Sequence, residues 1–379
     1  MNTTATYERY QRQITLKEFG IATQEKLLHS KVLVAGAGGL GCPALQYLAA
    51  AGVGTIGIVD DDVVALSNLH RQVLYSMEDI GFSKVMVAAD KLKQLNNEIN
   101  IIPYNFRLTN QNALDIIAEY DLILDGTDNF SSRYMINDAC VLLNKPFVYG
   151  AILSFEGQVA LFNGNHTNNK RAVHYRDLFP HPPKNNEVMN CAEAGVLGVL
   201  PGVIGTMQAN EAIKFITGIG KTLTGKLITW NALDNSFYEL YLSVNEAAQA
   251  LIPKNRDAFL KMDYEWLCAS AETGLEINAD AFNDLIHESN TIIIDVREQG
   301  EQPFVDEFKH LQIPLSAIQS NKTLINGDTI VLFCQSGKRS LQAARILNEL
   351  FHHSKKIYSL KDGIVEWKRK YVLPQTENK

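Results

Sequence analysis

Cys334 is the residue of this chain best placed for nucleophilic chemistry. It opens the loop 334–340, Cys-Gln-Ser-Gly-Lys-Arg-Ser, which follows an apolar run at 329–333 and precedes a helix predicted from Ser340. The backbone N–H groups of such a loop and the positive end of the next helix favour an anionic sulfur. Lys338 and Arg339 add two cations beside it. A thiolate in this setting is suited to nucleophilic attack or to carrying a sulfur atom.

A glycine-rich loop near the start of the chain is a second candidate site. Residues 36–41 read Gly-Ala-Gly-Gly-Leu-Gly and fit the pattern G-x-G-x-x-G between a predicted strand and a predicted helix. Glycines allow the backbone to approach a phosphate, which the free N–H groups of the helix start would bind. These glycines are Gly36, Gly38, Gly39 and Gly41. Asp60 ends the next predicted strand, where a carboxylate accepts hydrogen bonds from ribose hydroxyls. These features alone are typical of an NAD enzyme.

Two cations further along the chain favour a triphosphate over a dinucleotide. Arg71 follows Asn68 closely, and Lys84 begins a predicted helix. Release of pyrophosphate from ATP builds negative charge, which such cations stabilise. Asp128 lies across the predicted crevice and offers a carboxylate to a magnesium ion. The alternative is that Arg71 and Lys84 are solvated helix residues and that Asp128 caps a helix.

The alternation of apolar runs and helical patterns predicts a doubly wound, Rossmann-like α/β fold. Strands are predicted at 31–35, 56–59, 101–106, 122–124 and 147–151, and helices at 39–51, 83–96, 113–119 and 133–143. Strands at 158–162, 226–230 and 237–242, with a helix at 194–217, predict an antiparallel extension of a mainly parallel sheet. A smaller α/β unit has predicted strands at 292–295, 330–333 and 356–358. We therefore expect a first domain at 1–243, a linker at 244–274 and a second domain at 275–379.

Composition limits the class and the location of the protein. The 379 residues are 46% hydrophobic and 20% charged, as expected for a globular protein with two domains. No apolar run approaches the roughly 20 residues that cross a bilayer, and the start of the chain does not resemble a signal peptide. The 5 cysteines are scattered and odd in number, and the net charge is -7. We expect a cytoplasmic protein with no membrane or nucleic-acid partner.

Residues 7–243 resemble the MoeB and ThiF family of sulfur-carrier adenylyltransferases, which are relatives of the ubiquitin-activating enzymes. The matching blocks are 9–13 (Arg-Tyr-Gln-Arg-Gln), 36–41, 60–62, 67–72, 125–129 and 191–196 (Cys-Ala-Glu-Ala-Gly-Val). The resemblance implies that ATP and magnesium are used to adenylylate the C-terminal glycine of a small ubiquitin-like carrier ending in Gly-Gly.

The resemblance also implies roles for single residues. The nucleotide would be held by Gly36, Gly38, Gly39, Gly41, Asp60, Asn68, Arg71, Lys84 and Asp128, with magnesium at Asp128. Arg12 would reach across a homodimer interface to the phosphates of the partner subunit. Cys191 matches a family cysteine able to bond with the activated carrier, and the alternative is a half-buried loop cysteine without a chemical role. The expected catalytic residues are Arg12, Arg71, Lys84, Asp128, Cys191 and Cys334.

Residues 275–373 resemble a rhodanese-like sulfurtransferase domain. Segment 293–298 matches the opening strand of that family, and 334–340 matches its active-site pattern C-x-x-G-x-R-S, although the match weakens at 309–314. The resemblance implies that Cys334 receives a persulfide sulfur from an upstream donor. The persulfide loop would consist of Cys334, Gly337, Lys338, Arg339 and Ser340. An inert binding domain and a phosphatase are the alternatives, but a phosphatase loop spaces its cysteine and arginine more widely.

Many members of the MoeB and ThiF family hold a structural zinc ion with two C-x-x-C pairs, which are missing here. His174-Tyr175-Arg176-Asp177 stands in place of the first pair, and the segment 242–253 has no counterpart of the second. Zinc in structural sites prefers four nitrogen or sulfur ligands. We therefore expect no structural zinc, and we expect His174 and Asp177 to be surface residues.

These observations together predict an enzyme with two activities. ATP-dependent adenylylation of a sulfur carrier resembling MoaD or ThiS would be followed by transfer of the Cys334 persulfide sulfur, giving a thiocarboxylate for molybdopterin cofactor or thiamine biosynthesis. Activation of a ubiquitin-like protein for tRNA thiolation or for protein conjugation is the alternative. An NAD-dependent oxidoreductase and a non-enzymatic scaffold that docks carrier proteins are further alternatives.

Overall fold

The chain is described here from a computed structural model. The described residues are 7–164, 171–182, 195–264, 275–321, 324–325, 327–351 and 354–372. Among them, one compact unit ends at Tyr264 and a second contains the residues from 275 onward. No helix in these described segments combines the length and the hydrophobicity needed to span a membrane.

The first unit contains an eight-stranded sheet in the order β3-β2-β1-β4-β5-β6-β7-β8. The strands are β1 (Lys31–Ala35), β2 (Thr55–Val59), β3 (Asn100–Tyr104), β4 (Leu122–Asp125), β5 (Phe147–Leu153), β6 (Glu156–Phe162), β7 (Lys226–Asn231) and β8 (Phe237–Tyr241). Pairing is parallel from β3 to β5 and antiparallel from β5 to β8. All of β4 and nearly all of β1 are buried, as expected for strands covered on both faces. The predicted fold class is confirmed.

Helices precede, alternate with and follow the parallel strands of this sheet. They are α1 (Gln11–Ile14), α2 (Gly20–His29), α3 (Gly41–Ala51), α4 (Lys84–Leu95), α5 (Ala113–Ala118), α6 (Phe130–Leu142), α7 (Tyr175–Leu178) and α8 (Val199–Thr217). The helix predicted from residue 194 begins only at Val199. Gly195 has a φ of +70°, and Val196 forms a bridge with Ser154, so the segment before Val199 is extended rather than helical.

The first unit continues past residue 243, where the sequence predicts the start of a linker. It adds α9 (Glu246–Gln249) and α10 (Arg256–Leu260). Arg256 donates two hydrogen bonds to Asp115, at 2.8 and 2.7 Å, and the Tyr264 hydroxyl donates to Asp138 at 2.9 Å. Phe259 is fully buried. These contacts hold residues 244–264 on the helices of the first unit, while the rest of the expected linker, 265–274, lies outside the described residues.

The second unit contains a smaller, entirely parallel sheet in the order β11-β10-β12-β13-β9. Its strands are β9 (Glu276–Ile277), β10 (Thr291–Asp295), β11 (Leu311–Gln312), β12 (Thr329–Phe333) and β13 (Lys356–Leu360). Its helices are α11 (Ala279–Leu285), α12 (Lys338–Leu350) and α13 (Gly363–Tyr371). Alternate side chains of β12 enter two different cores, an aliphatic one with Leu332 and an aromatic one with Phe333. The sheet thus has a covered face on each side, and Cys334 follows its central strand.

Candidate functional site

The glycine loop joins β1 to α3 at the edge of the large sheet. Gly36 has a φ of +94°, and a Cβ atom there would lie 2.7 Å from the carbonyl oxygen of Gly126. Only glycine allows this close approach of the two backbone segments that follow β1 and β4. The loop N–H groups and the start of α3 therefore lie at the point where a parallel Rossmann-type sheet binds nucleotide phosphates.

A cleft of about 840 Å³ opens above this loop, a volume typical of small-molecule sites. It brings together seven of the residues predicted to bind nucleotide: Gly36, Gly38, Gly39, Asp60, Arg71, Lys84 and Asp128. Of the described residues, Gly41 and Asn68 are not part of the cleft lining. Gly41 begins α3 beneath the loop, and Asn68 accepts a hydrogen bond from the Ala65 N–H at 3.2 Å, which closes a 3₁₀ turn.

Asp60 connects β2 to the glycine loop. Its two carboxylate oxygens accept hydrogen bonds from the backbone N–H groups of Ala37 and Asp62, each at 2.8 Å. Burial raises the pKa of Asp60, although the N–H of Ala37 and the charge of Lys84 oppose that shift. The carboxylate is therefore held in one orientation at the cleft wall, where it can still accept hydrogen bonds through its remaining lone pairs.

Lys84 provides a positive charge at the cleft from the first position of α4. Its side chain is only 5% exposed, and its Nζ lies 2.7 Å from a carboxylate oxygen of Asp62, which is 69% exposed. Asp60, Asp61 and Asp62 form the block 60–62 of the family resemblance, and their carboxylate oxygens all lie within 4.8 Å of one another. A phosphate group entering the cleft would compete with Asp62 for the Lys84 ammonium.

Arg71 provides a second cation. Its Nη1 atom donates to the carbonyl oxygen of Ser67 at 3.0 Å and lies 2.8 Å from Nε2 of His70. Neither partner is an anion, so the guanidinium charge is still available to a phosphate. Arg12 lies on α1, is exposed, and is not among the described residues that line the cleft.

The opposite wall contains Arg133, a residue that the sequence analysis missed. Asn129 caps α6 by accepting the Ser132 N–H at 2.9 Å, which turns Arg133 toward the cleft. Arg133 is 7% exposed, its guanidinium carbon lies 5.0 Å from the centre of the Tyr149 ring, and its Nε lies 3.4 Å from the carboxylate of Asp125. Its position one helical turn after an Asn cap was the signal available in the sequence.

Two buried groups with unused hydrogen-bonding capacity accompany Arg133. Asp125 accepts hydrogen bonds from the N–H and hydroxyl of Thr127 through one oxygen, while its other oxygen makes no hydrogen bond within the described residues and is paired only with Arg133, at 3.4 Å. Burial raises the pKa of Asp125, and Arg133 opposes the shift. Gln72 lines the cleft, is 4% exposed, and its Oε1 also has no hydrogen-bond partner. Buried polar atoms of this kind are typical of a binding site that a ligand completes.

Cys334 lies at the carboxyl end of β12, directly before α12. It is 1% exposed, and both the N–H and the hydroxyl of Ser340 lie 3.4 Å from its Sγ atom. Gly337 has a φ of +84°, and a Cβ atom there would lie 3.0 Å from the backbone nitrogen of Asp362. The loop therefore wraps tightly around the sulfur, with the start of α12 contributing donors, as the sequence predicts.

The two cations of this loop are in different environments. Lys338 is exposed, whereas Arg339 donates two hydrogen bonds to the carboxylate of Glu301, both at 2.6 Å. These contacts with Arg339 lower the pKa of Glu301 to about 2. The sequence analysis did not identify Glu301, because it precedes the cysteine loop by a long segment of chain.

The remaining cysteines contribute less to the two sites. Cys191 lies outside the described residues. Cys42 and Cys140 are fully buried in α3 and α6, and burial raises the pKa of Cys42 to about 12. A thiol with such a high pKa stays protonated, so these two cysteines are packing residues.

The expectation that His174 and Asp177 are surface residues is wrong, since both side chains are almost completely buried. The carboxylate of Asp177 accepts two hydrogen bonds from Arg171 at 2.7 Å, and further ones from the N–H groups of His174 and Asn245 at 2.9 Å. Arg171 also donates to the Asn245 carbonyl oxygen at 2.9 Å. An ion-pair cluster thus links the segment before α7 to the segment before α9.

The donor set of this cluster does not fit a zinc ion. Burial alone would raise the pKa of Asp177, but Arg171 and the N–H groups outweigh it and lower the pKa. Both oxygens of Asp177 are therefore engaged as an ionised carboxylate, and the cation beside them is a guanidinium. Both ring nitrogens of His174 are buried without a hydrogen-bond partner among the described residues, but one histidine supplies a single zinc ligand, whereas a structural zinc site uses four nitrogen or sulfur ligands.

The fold and the two sites define an α/β protein that joins a Rossmann-type nucleotide cleft to a cysteine loop of rhodanese type. Residues 10–250 match the model of the ThiF family, and residues 278–370 match the model of the rhodanese-like domain. The chain therefore belongs to the ThiF family and carries a C-terminal rhodanese-like domain.

One relative matches nearly the whole chain, and another matches about two thirds of it. The probable adenylyltransferase/sulfurtransferase MoeZ of Mycobacterium tuberculosis is 40% identical over 370 residues, which cover 95% of this chain and 92% of MoeZ. A sulfur carrier protein adenylyltransferase of Thermus thermophilus is 48% identical over 263 residues, 69% of this chain and 96% of the relative. Among solved structures, E. coli MccB has a TM-score of 0.54 at 24% identity, covering 63% of this chain and 72% of MccB, which supports the fold alone.

Proposed function

We propose that this chain uses ATP to adenylylate the C-terminal glycine of a ubiquitin-like sulfur-carrier protein, and then delivers sulfur from Cys334 to form a thiocarboxylate. The observation that carries this proposal is the presence, on one chain, of two complementary sites. One is a cleft with Arg71, Lys84 and Asp128 above a phosphate-binding glycine loop, and the other is a cysteine at the start of a helix.

In the first step the carrier carboxylate attacks the α-phosphorus of ATP. A bond forms between a carboxylate oxygen and the α-phosphorus, the bond to the bridging oxygen breaks, and pyrophosphate leaves with its negative charge. Lys84 and Arg71 stabilise that charge, because both cations face the phosphates from one wall of the cleft. A magnesium ion held by Asp128 would supply further neutralisation of the phosphates.

Arg133 and Asp60 orient the reactants. Arg133 is a nearly buried cation on the wall opposite the glycine loop, a position that suits an incoming carboxylate or the phosphates. Asp60 is held by two backbone N–H groups and is available to the ribose hydroxyls. Binding both reactants in one cleft converts their encounter into an intramolecular reaction.

In the second step sulfur reaches the activated carrier. The outer sulfur of a Cys334 persulfide attacks the acyl carbon, AMP leaves, and an acyl disulfide joins the carrier to Cys334. A second thiol then attacks the inner sulfur, which releases the thiocarboxylate and leaves a mixed disulfide on Cys334. Cys191, outside the described residues, is the family-matched candidate for a covalent bond to the activated carrier.

A homodimer is part of the proposal, because Arg12 does not reach the cleft of its own subunit. Several large apolar side chains are exposed on the segment 66–82, which also contains the cleft residues Arg71 and Gln72. They are Leu66, Val73, Met77 and Phe82, each more than 60% exposed. Apolar groups of this number on one segment are typical of a protein interface. A partner subunit covering them would bring its own Arg12 toward the phosphates.

Molybdopterin cofactor and thiamine biosynthesis are the proposed uses of the thiocarboxylate, and tRNA thiolation is the alternative. An NAD-dependent oxidoreductase is disfavoured by the cations at Arg71, Lys84 and Arg133, which exceed the need of a pyrophosphate. A reducing cytoplasm suits the chemistry, since Cys42, Cys140 and Cys334 are free thiols.

Carrier-dependent ATP–pyrophosphate exchange tests the first step. We expect the purified chain to exchange only in the presence of a carrier that ends in Gly-Gly, and we expect Arg71→Ala and Asp128→Ala to lower the exchange rate by about 100-fold or more. Exchange that persists at the wild-type rate in both variants would contradict the proposed use of the cleft.

A further inference from the structure

The Cys334 loop is bordered by a carboxylate from a distant segment of the same domain. Glu301 follows β10. Its two carboxylate oxygens accept hydrogen bonds from the two terminal guanidinium nitrogens of Arg339, at 2.6 Å each. Side-chain exposure is 37% for Arg339 and 28% for Glu301, so this bidentate pair lies at the accessible edge of the loop. Bidentate pairs of this geometry are stronger and more directional than ordinary exposed ion pairs.

Both partners of this pair are anchored. Glu301 also accepts the Glu298 N–H at 2.8 Å, and the segment that contains it is fixed by the buried pair of Arg297 with Asp295, at 2.6 Å. Arg297 further donates to the Pro303 carbonyl oxygen at 2.9 Å. The carboxylate is therefore placed by the fold and does not depend on the conformation of a free surface side chain.

Arg339 directly precedes Ser340, whose N–H and hydroxyl lie 3.4 Å from the Cys334 sulfur. The pKa of Arg339 is raised first by Glu301 and additionally by the charge of Cys334. The second loop cation, Lys338, is exposed at the start of α12. The guanidinium that could bind an anion beside the sulfur is thus already occupied by a carboxylate of the same domain.

Two chemical classes of sulfur donor place different demands on this cation. With thiosulfate, the Cys334 thiolate attacks the outer sulfur, the sulfur–sulfur bond breaks, and sulfite leaves with two negative charges that require a cation. With a thiol persulfide, the same attack on the terminal sulfur gives the Cys334 persulfide and releases a thiolate with one negative charge on sulfur. The persulfide donor therefore has less need of Arg339.

We propose that Glu301 is a specificity-determining residue, which holds Arg339 away from small dianions so that Cys334 takes its sulfur from a thiol persulfide rather than from thiosulfate. This inference rests on the proposed sulfur transfer at Cys334. Its new element is the role of Glu301, which controls whether Arg339 is available to an anionic donor.

Replacement of the carboxylate by its amide tests the proposal. Loading of Cys334 in the full chain is followed by mass, as the gain of one sulfur atom, with thiosulfate and with a low-molecular-weight alkyl persulfide as donors. We expect Glu301→Gln to raise kcat/KM for thiosulfate about tenfold, mainly through a lower KM, and to change persulfide loading by less than about twofold. Glu298→Gln removes a nearby exposed carboxylate that is not part of the pair, and should behave as wild type.

Two further variants test whether Glu301 acts through its contact with Arg339 or only through its negative charge near the loop. Glu301→Asp keeps the charge, so thiosulfate should remain a poor donor for that variant. In an Arg339→Gln background, Glu301→Gln should no longer improve thiosulfate use, because the residue acts through Arg339. An equal gain with both donors, an equal gain in the Arg339→Gln background, or no gain in Glu301→Gln would overturn the inference. If the wild-type chain and Glu301→Gln accept sulfur from neither donor, the proposed sulfur transfer at Cys334 itself fails.

Discussion

The cleft of the first unit and the Cys334 loop of the second unit share one backbone arrangement suited to anions, but they draw on very different lengths of chain. Each lies after a parallel strand and before the N-terminus of a helix, where backbone N–H groups are free. The cleft collects residues from 35 to 196, whereas the loop donors and the cysteine lie within 334–340. A polyanion with a leaving group requires charges from many segments, and a single sulfur atom does not.

The two sites also differ in how their cations are held. In the cleft, Arg71 contacts a carbonyl oxygen and a histidine nitrogen and so keeps its charge available. In the loop, Arg339 is bound by Glu301. We infer that the cleft is arranged for a highly charged ligand and the loop for a weakly charged one. Changes at the two sites should therefore separate two activities.

The largest expected effect is the loss of sulfur transfer in Cys334→Ala. Thiocarboxylate formation on the carrier should fall to background, because no other group in the loop can carry the sulfur, while ATP–pyrophosphate exchange should stay at the wild-type rate. Mass spectrometry of the carrier and an exchange assay check the two parts. Ser336→Ala, an exposed change in the same loop, serves as the control and should retain both activities.

The reverse separation is expected for Lys84→Ala. Carrier-dependent exchange should fall by about 10²- to 10³-fold, the usual cost of removing one preorganised group that stabilises developing charge. Loading of Cys334 with sulfur should not change. Lys91→Ala is a matched control on α4, since Lys91 pairs with Asp79 and is not among the described residues lining the cleft. A loss below about tenfold in Lys84→Ala would argue against a direct role of Lys84 at the phosphates.

A structural effect of intermediate size is expected at the Asp177 cluster. Asp177→Ala leaves Arg171 without its carboxylate in a largely buried site, so the free energy of unfolding of the first unit should fall by about 3 kcal/mol. Urea denaturation followed by far-UV circular dichroism measures the change. Arg256→Ala, which breaks a pair with both side chains more than half exposed, should lower the free energy of unfolding far less than Asp177→Ala does.

Metal removal tests whether a metal ion contributes to the stability of the Asp177 cluster. A chelator should leave the unfolding curve of the wild-type chain unchanged, because the Asp177 cluster is held by Arg171 and backbone N–H groups. A large chelator-induced destabilisation, accompanied by stoichiometric zinc in the purified chain, would show that a metal holds this region.

The smallest effect is expected in the pH dependence of the stability that the Asp177 cluster provides. The pKa of Asp177 is lowered in the folded chain, so the ionised carboxylate contributes stability above the ordinary aspartate range. That contribution is lost as the pH falls toward the folded pKa. The difference in unfolding free energy between wild type and Asp177→Asn should therefore be constant near neutral pH and shrink below about pH 4. A difference that grows on acidification would have the wrong sign.

Regular local patterns made much of the fold predictable from the sequence. The buried parallel strands of the large sheet are short apolar runs, and the glycine loop and the Cys334 loop follow such runs directly. Each of these signals lies within a few neighbouring residues. The mainly parallel sheet, its antiparallel extension and the position of the cysteine before α12 could therefore be derived without the structure.

Side-chain pairs between distant segments could not be derived in this way. Glu301 meets Arg339, and Asp177 meets Asn245, only because the sheets bring their segments together. A buried polar residue also resembles a surface residue in sequence, which explains the wrong expectation for Asp177. Arg133 was missed for a related reason, since its direction depends on the cap at Asn129.

The most direct test of the account is detection of the carrier acyl-adenylate. The Cys334→Ala chain, given ATP, magnesium and a purified carrier ending in Gly-Gly, should convert the carrier to a species heavier by one adenylyl group. That species should be absent when the terminal glycine of the carrier is deleted. If no adenylylated carrier forms with MoaD-like, ThiS-like or tRNA-thiolation carriers, while the chain remains folded, the central claim is contradicted.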